Sequence, residues 1–231
     1  MVQKIRGLVF ATKQLAKNMN PDIYVYKLAV DNGGAPCVWS GLLSLAICKP
    51  KIRKVAQKGS LIFGFGGKNL YGEQLVGERL IYAAKVTAKL ERDEYYQKPE
   101  YAKRPDCIYE GVSGFAQRKQ NARYHNQSDE REKDVGLNFE NAHVLLSENF
   151  RYFGNKGTAD YKLEFPAIKN LVEGLKRGHR VNHDDALRNE FTSLTEQLWH
   201  KYPQMVLGSP SDSDQTRVCN RESPCCTVKC S

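Results

Sequence analysis

Lysine and arginine side chains that suit phosphate binding are concentrated near residue 50 of this 231-residue chain. Residues 50–57 are interpreted as a helix, because Pro50 fits the first turn of one. The apolar residues of this stretch share one face of that helix, and they are Ile52, Val55 and Ala56. The cations then form the exterior, where each neutralised phosphate releases counterions. Phosphate contacts are predicted for Lys49, Lys51, Arg53 and Lys54.

A predicted strand rich in glycine and phenylalanine follows at residues 60–65. Glycines let a ligand approach the backbone closely, and adjacent N–H groups can bind an anion. Phenylalanine rings can stack on a base. Ligand contacts are predicted for Phe63, Gly64, Phe65, Gly66, Gly67 and Lys68. Because residues 48–67 contain no acid and no histidine, any catalytic group is expected elsewhere in the chain.

Acid–base chemistry would have to come from a histidine in another segment. His125 lies in a polar loop, His143 begins a predicted strand, and His179 precedes the last predicted helix. Each is a candidate general base, because the imidazole changes its charge near neutral pH. The pattern around them does not single out one of the three, so the catalytic residue, if there is one, stays undefined by sequence.

Metal and cofactor sites are not predicted. His179 and His183 are four residues apart, but no third ligand lies at a suitable spacing. Either Asp184 or Asn182 is expected to cap the last helix instead. The cysteines near the C-terminus match no zinc-binding spacing, and they are Cys219, Cys225, Cys226 and Cys230.

The formal net charge of +9 favours polyanionic partners such as nucleic acid or nucleotides. The alternative is a cationic surface that serves only solubility. No apolar run approaches the roughly 18–20 residues that a membrane span needs, so no membrane partner is predicted. The seven cysteines are an odd number with no pairing rhythm. This usage is typical of a reducing compartment and predicts a cytoplasmic protein.

Hydrophobic periodicity predicts an α+β fold. Predicted strands lie at residues 23–30, 60–65, 79–90 and 143–146, and predicted helices at 50–57, 92–97, 166–177 and 184–202. Residues 98–138 are expected to form a long irregular loop, which in a compact domain usually carries function. An aromatic turn is predicted at 149–154. The predicted organisation is a basic leader at 1–21, a main domain at 22–180, a C-terminal helix at 181–203 and a disordered tail at 204–231.

Four short segments carry a resemblance to a known family. They lie at residues 47–53, 79–82, 144–147 and 150–154, and the Cys-Lys-Pro and Tyr-Phe-Gly strings within them are the most specific. Over roughly residues 22 to 180 the chain resembles the nucleotide modification associated domain 2 family. That family is associated with systems that make or handle modified bases in DNA, often in phages and bacteria. The resemblance therefore implies a DNA-modification or phage-defence context.

The order of elements also resembles modified-base-binding barrels of the PUA-like and EVE-like type. That likeness implies a small mixed β-barrel-like sheet with flanking helices and a C-terminal helical pair. It also implies a cleft for a flipped or single-stranded base, with aromatic walls and cations that hold the backbone outside. The expected walls are Phe63, Phe65, Tyr82, Tyr152 and Phe153.

The leading hypothesis is a binding module that recognises a modified base or nucleotide. Its partner would be nucleic acid or a nucleotide, with DNA favoured. One alternative is an enzyme that acts on a nucleotide or DNA base in the same pocket. The other is a non-enzymatic interaction protein whose cationic face docks an acidic partner.

Overall fold

The structure is a computed structural model that describes residues 21–67, 70, 78–126, 128–176 and 178–211. Its strands are β1 (Ile23–Leu28), β2 (Cys37–Trp39), β3 (Leu42–Leu45), β4 (Leu61–Gly66), β5 (Leu80–Lys85), β6 (Ala88–Glu91), β7 (Tyr109–Val112), β8 (Phe115–Arg118), β9 (His143–Ser147), β10 (Asn149–Tyr152) and β11 (His179–Arg180). Its α-helices are α1 (Pro50–Val55), α2 (Glu94–Gln97), α3 (Ser128–Asp134), α4 (Tyr161–Glu164), α5 (Pro166–Gly174) and α6 (Asp185–Lys201). The α+β prediction is confirmed.

The described strands form three open sheets. The largest has five strands in the order β10-β5-β4-β1-β11, with β1 and β4 parallel and every other pair antiparallel. A second sheet has the order β2-β3-β9-β6, and β7 and β8 form a separate hairpin. The expected barrel-like sheet is therefore wrong for the described residues, because each sheet keeps two edge strands.

Two chain segments pass from one sheet to the other. The single strand predicted at 79–90 is divided into β5 in the five-stranded sheet and β6 in the four-stranded sheet. In the same way β9 and β10 are consecutive in sequence but belong to different sheets. The Ser147 hydroxyl donates to the Lys85 carbonyl at 2.7 Å and joins the two crossing points.

Three apolar clusters fill the space between these layers. One lies between the five-stranded sheet and helices α4 to α6, and it includes Phe63, Ile168 and Phe191. The second lies on the opposite face of that sheet, against β3 and α1. The third lies under the β7–β8 hairpin and helices α2 and α3. The large sheet is therefore covered on both faces.

The two C-terminal helices agree with the sequence prediction. Helix α6 begins after Asp184, whose carboxylate accepts from the Leu187 amide at 2.8 Å, so Asp184 is the cap and Asn182 is not. Helices α5 and α6 contribute to the same apolar cluster. No helix in the described ranges is both long enough and apolar enough to cross a membrane.

Other segments differ from the prediction. Residues 98–138 contain the β7–β8 hairpin and helix α3 instead of one irregular loop. Residues 149–152 form strand β10 instead of a turn. Residues 204–211 are not disordered, because Met205, Leu207 and Ser209 make backbone hydrogen bonds with 152–155. Residues 1–20 of the predicted leader and 212–231 of the predicted tail lie outside the described residues.

Candidate functional site

Arg53 does not lie on the cationic exterior where the sequence placed it. Its side chain is fully buried, at 0% exposure. The guanidinium donates to the carbonyl of Cys48 at 2.6 Å, to the carbonyl of His143 at 2.7 Å and to the Asp134 carboxylate at 3.1 Å. The guanidinium can be buried because its N–H donors, which lie in one plane, all point at protein acceptors. Arg53 holds three segments together and is not available to a phosphate.

The lysines within α1 and just before it differ in their exposure to solvent. Lys49 is half-buried, with its ammonium 4.6 Å from the centre of the Tyr26 ring. Lys51 and Lys54 are exposed. Lys54 is close to Lys89, whose ammonium donates to the Lys54 carbonyl at 2.7 Å. Lys68 lies outside the described residues, so its predicted role stays a prediction.

Strand β4 is buried along its whole length. The Phe63 ring packs against Phe191 at 4.7 Å between centroids, and the Phe65 ring packs against Tyr161 at 5.0 Å. The expectation that either ring stacks on a base is therefore wrong, since both rings pack inside the apolar cluster next to α6. Phe153 is buried against Tyr202 in the same cluster.

The glycines of this strand do not form an anion nest. The Gly66 amide donates to the Arg79 carbonyl and the Gly67 amide to the Leu28 carbonyl, both at 2.8 Å. A Cβ at Gly64 would lie 2.3 Å from the Tyr82 ring. Gly64 is therefore required for close packing inside the sheet and not for the approach of a ligand.

The two predicted tyrosine walls are buried as well. Tyr82 is 0% and Tyr152 is 2% exposed. The Tyr82 hydroxyl lies 2.7 Å from the Tyr26 hydroxyl. The Tyr152 hydroxyl donates to the buried carboxylate of Asp31 at 2.9 Å. Both rings belong to the second apolar cluster, so neither forms an accessible wall.

A cleft with a cavity volume of about 60 Å³ opens between the end of β1 and the start of α1. Of the predicted binding residues in the described part of the chain, Lys49 alone lines it. The complete lining is Leu28, Ala29, Val30, Asn32, Gly34, Ala35, Ile47, Cys48, Lys49, Tyr124 and His125. The cleft thus brings a cysteine and a histidine to one surface.

Cys48, His125 and Asp134 form a continuous chain of contacts at this cleft. The Cys48 Sγ atom lies 3.1 Å from Nε2 of His125. On the other side of the ring, Nδ1 of His125 is hydrogen-bonded to Oδ2 of Asp134. Asp134 is buried, His125 is 9% exposed and Cys48 is partly exposed. A thiol, an imidazole and a carboxylate in this order are the arrangement that activates a cysteine nucleophile.

Local backbone geometry places the thiol. Cys48 and Lys49 both have left-handed conformations, with φ values of 56° and 46°, and α1 begins immediately after them. The Cys48 amide donates to Oδ1 of Asp134 at 2.9 Å, and its carbonyl accepts from Arg53. Non-glycine residues adopt this conformation rarely, and residues with strained backbones cluster at active sites and ligand-binding segments.

The charge state of His125 follows from its two neighbours. Burial by itself would lower its pKa, but the hydrogen bonds to Asp134 and Cys48 raise the pKa to about 11. The ring is therefore an imidazolium at neutral pH. Tyr109, whose hydroxyl donates to Asp134 Oδ2 at 3.1 Å, completes the surroundings of the carboxylate.

The other two candidate histidines do not join this chain of contacts. Nδ1 of His143 lies 3.6 Å from Glu91, and His143 is not part of the cleft. His179 is in strand β11 and not in a helix, so it shares no helical face with His183. His183 donates from Nε2 to the Ile23 carbonyl at 2.9 Å. Across the described ranges, no group of three or more potential ligands could hold a metal ion.

Sequence reasoning missed Cys48 and Asp134. Cys48 lies in a basic segment that contains no acid and no histidine, and His125 is 77 residues away from it. Asp134 belongs to the charged string of α3, which has the pattern of a solvated helix. The useful signal was the length of the polar segment 98–138, since long loops in compact domains usually carry function.

The fold and the site together define an α+β domain with a cysteine–histidine–aspartate arrangement at a cleft. The model of the family nucleotide modification associated domain 2 matches residues 20–217, and the chain belongs to this family. No curated protein and no solved structure matches the chain.

Proposed function

We propose that this protein is a cysteine-dependent enzyme that acts on a nucleotide or a DNA base. The observation that carries the proposal is the contact of the Cys48 sulfur with His125, which is itself held by the buried Asp134. Because Cys48 lines the cleft and is partly exposed, a substrate can reach it. This favours the enzyme over the pure binding module that the sequence placed first.

The chemistry follows from the order of the groups. His125 stabilises negative charge on the sulfur, and Asp134 fixes the orientation and charge of the ring. Attack forms a bond between the sulfur and an electrophilic carbon of the substrate. His125 then gives its proton to the substrate atom that receives the displaced electron pair. Water or a second substrate then attacks the same carbon and breaks the sulfur–carbon bond, and the proton that it releases returns to His125, so that Cys48 and His125 regain their starting state.

The family and the charge support a nucleotide or nucleic acid as the substrate. Membership in the nucleotide modification associated domain 2 family implies a nucleotide-modification context. The net charge of +9 favours an anionic substrate. These two observations select the substrate class, and the Cys48 site supplies the reaction type.

Alkylation by iodoacetamide tests the nucleophile directly. At about pH 7, Cys48 should react about 10-fold or more faster than the buried Cys37 and Cys107. His125→Asn should lower the Cys48 rate about 10-fold, whereas the matched control His143→Asn should leave it unchanged. Peptide mapping by mass spectrometry assigns each rate. A Cys48 rate equal to that of Cys107 would show that the proposal is wrong.

Turnover is tested by incubating the protein with deoxynucleoside monophosphates and with single-stranded DNA. We expect a changed product or a covalent adduct on Cys48 that Cys48→Ser abolishes.

The second candidate function, a binding module without chemistry, is favoured by the cations near the cleft. It predicts instead that Cys48→Ser binds these ligands as well as the native chain and that neither protein changes them.

A further inference from the structure

Basic side chains from two distant segments meet beside the cleft. Strand β11 pairs with β1 so that His179 lies opposite Tyr26. The ammonium of Lys49 lies over that same Tyr26 ring, at 4.6 Å. Paired residues of neighbouring strands project to the same face of a sheet. His179 and Lys49 are therefore neighbours, although most of the chain separates them in sequence.

Helix α1 completes this group. It packs on the same face of the sheet through Ile52 and Ala56, in the cluster that also contains Tyr24 and Tyr26. The His179 ring lies 6.1 Å from the Tyr24 ring on this face. Burial lowers the pKa of His179, and the charges of Lys51, Arg180 and Lys49 lower it further. Lys49, Lys51 and His179 thus converge on this face, whereas Arg180 pairs with Val25, whose side chain lies in the cluster on the other face of the sheet.

Within the described part of the chain, no carboxylate forms an ion pair with Lys49, Lys51 or His179. The other side of α1 differs, because Lys89 near Lys54 has Glu91 at 3.7 Å. Uncompensated cations that are held together repel one another, and an anion bound between them relieves that repulsion.

We propose that Lys49, Lys51 and His179 form a phosphate-binding site that serves the Cys48 cleft. The substrate is then a phosphorylated nucleotide, free or within a strand, and not a free base or nucleoside. This part rests on the proposed function, because it takes Cys48 as the reacting group. Lys49 belongs to both surfaces, since it lines the cleft and contacts Tyr26. A phosphate on the three basic groups would therefore direct its sugar and base towards Cys48.

Two double variants on the native chain test the site. Lys49→Ala with Lys51→Ala removes two charges from it. Lys54→Ala with Lys58→Ala removes two charges from the same helix region and is the matched control. Ligands are inorganic phosphate, the deoxynucleoside monophosphates, the corresponding nucleosides and a short single-stranded DNA. The readouts are binding by calorimetry and protection of Cys48 from iodoacetamide.

We expect monophosphates to bind and to protect Cys48, with nucleosides at least about 10-fold weaker, since each lost charge-assisted hydrogen bond is worth about a factor of 10. The Lys49 and Lys51 variant should lose about 10-fold or more in affinity, and the control less than about 3-fold. Phosphate should also raise the pKa of His179, seen by NMR, because an anion favours the imidazolium. Binding of the DNA but not of monophosphates assigns the site to a strand.

The proposal is overturned if nucleosides bind as well as monophosphates, if nothing binds in a phosphate-dependent way, or if the control variant loses as much affinity. These failures are distinct from failure of the proposed function. His125-dependent alkylation of Cys48 without phosphate binding would refute the phosphate site alone. Phosphate binding beside an unreactive Cys48 would refute the enzyme alone.

Discussion

Asp134 is the residue on which the candidate site depends. Its buried carboxylate accepts from the Cys48 amide at 2.9 Å, from Arg53 at 3.1 Å and from the Tyr109 hydroxyl at 3.1 Å, in addition to His125. A carboxylate loses several kcal/mol of hydration on burial, so it is stable here only because these donors replace the water. The same contacts fix the thiol and the imidazole relative to each other.

The charge of His125 gives a prediction at this scale. Since Asp134 and Cys48 raise its pKa to about 11, against the opposing effect of burial, the ring should stay protonated from about pH 6 to about pH 9. His179, whose pKa is lowered by burial and neighbouring cations, should lose its proton below the ordinary range. Imidazole NMR signals followed against pH measure both.

Asp134→Asn provides the control for this titration. Removing the carboxylate should return the His125 titration towards the neutral range, because its main stabilising hydrogen bond to the charged ring is lost. The His179 titration should not move. A His125 signal that titrates near pH 6.5 in the native chain would contradict the assignment of an imidazolium.

Strand β4 decides how the main elements fit together. Alternate side chains enter two different clusters: Leu61, Phe63 and Phe65 face the helical layer, and Ile62 faces the second sheet. Because both faces are buried, the strand has the apolar composition that sequence reasoning interpreted as a ligand-binding wall. Gly64 is the point of closest packing, with Tyr82 and Leu28 both next to it.

Gly64→Ala should therefore destabilise the protein. The added methyl would lie 2.3 Å from the Tyr82 ring and 2.7 Å from Leu28, inside a sheet that cannot open. Overpacking of this kind costs about 1–3 kcal/mol in the free energy of unfolding. Denaturant unfolding measures it. Gly174→Ala is the control, since a Cβ there meets nothing within 4 Å and should leave stability unchanged or slightly higher.

At the scale of the whole molecule, residues 204–211 attach to the edge of the five-stranded sheet. The Tyr152 amide donates to the Met205 carbonyl and the Leu207 amide to the Tyr152 carbonyl, both at 2.8 Å. The Asn155 amide donates to the Ser209 carbonyl at 2.7 Å. This segment covers the free edge of β10, which an exposed sheet would otherwise offer to another chain.

Gly208→Ala should detach this segment. A Cβ at Gly208 would lie 2.1 Å from the Phe153 carbonyl oxygen, which is backbone and cannot move aside. Hydrogen exchange should then become faster at the Leu207 and Asn155 amides, while the amides of α6 keep their protection. Equal acceleration throughout α6 would mean that the segment is part of the global folding unit instead.

The sequence by itself determined the features that depend on neighbours along the chain. Helix α5 follows from its apolar spacing, α6 follows from its spacing and from Asp184, and the start of α1 follows from Pro50. The net charge and the family resemblance, now confirmed as membership, also needed no coordinates. These properties are local or compositional, so a linear pattern contains them.

Tertiary structure alone decided which of those residues can act. It buried both predicted phenylalanines, because strand β4 is covered on both faces, and it buried Arg53 among acceptors that include Asp134. It also joined Cys48 to His125 across 77 residues and His125 to Asp134 across 9. Such contacts depend on sheet order and on where a loop crosses the fold, and neither can be inferred from the spacing of residues along the chain. The basic segment near residue 50 therefore supplies the Lys49 edge of the cleft, while its overlooked cysteine supplies the candidate nucleophile.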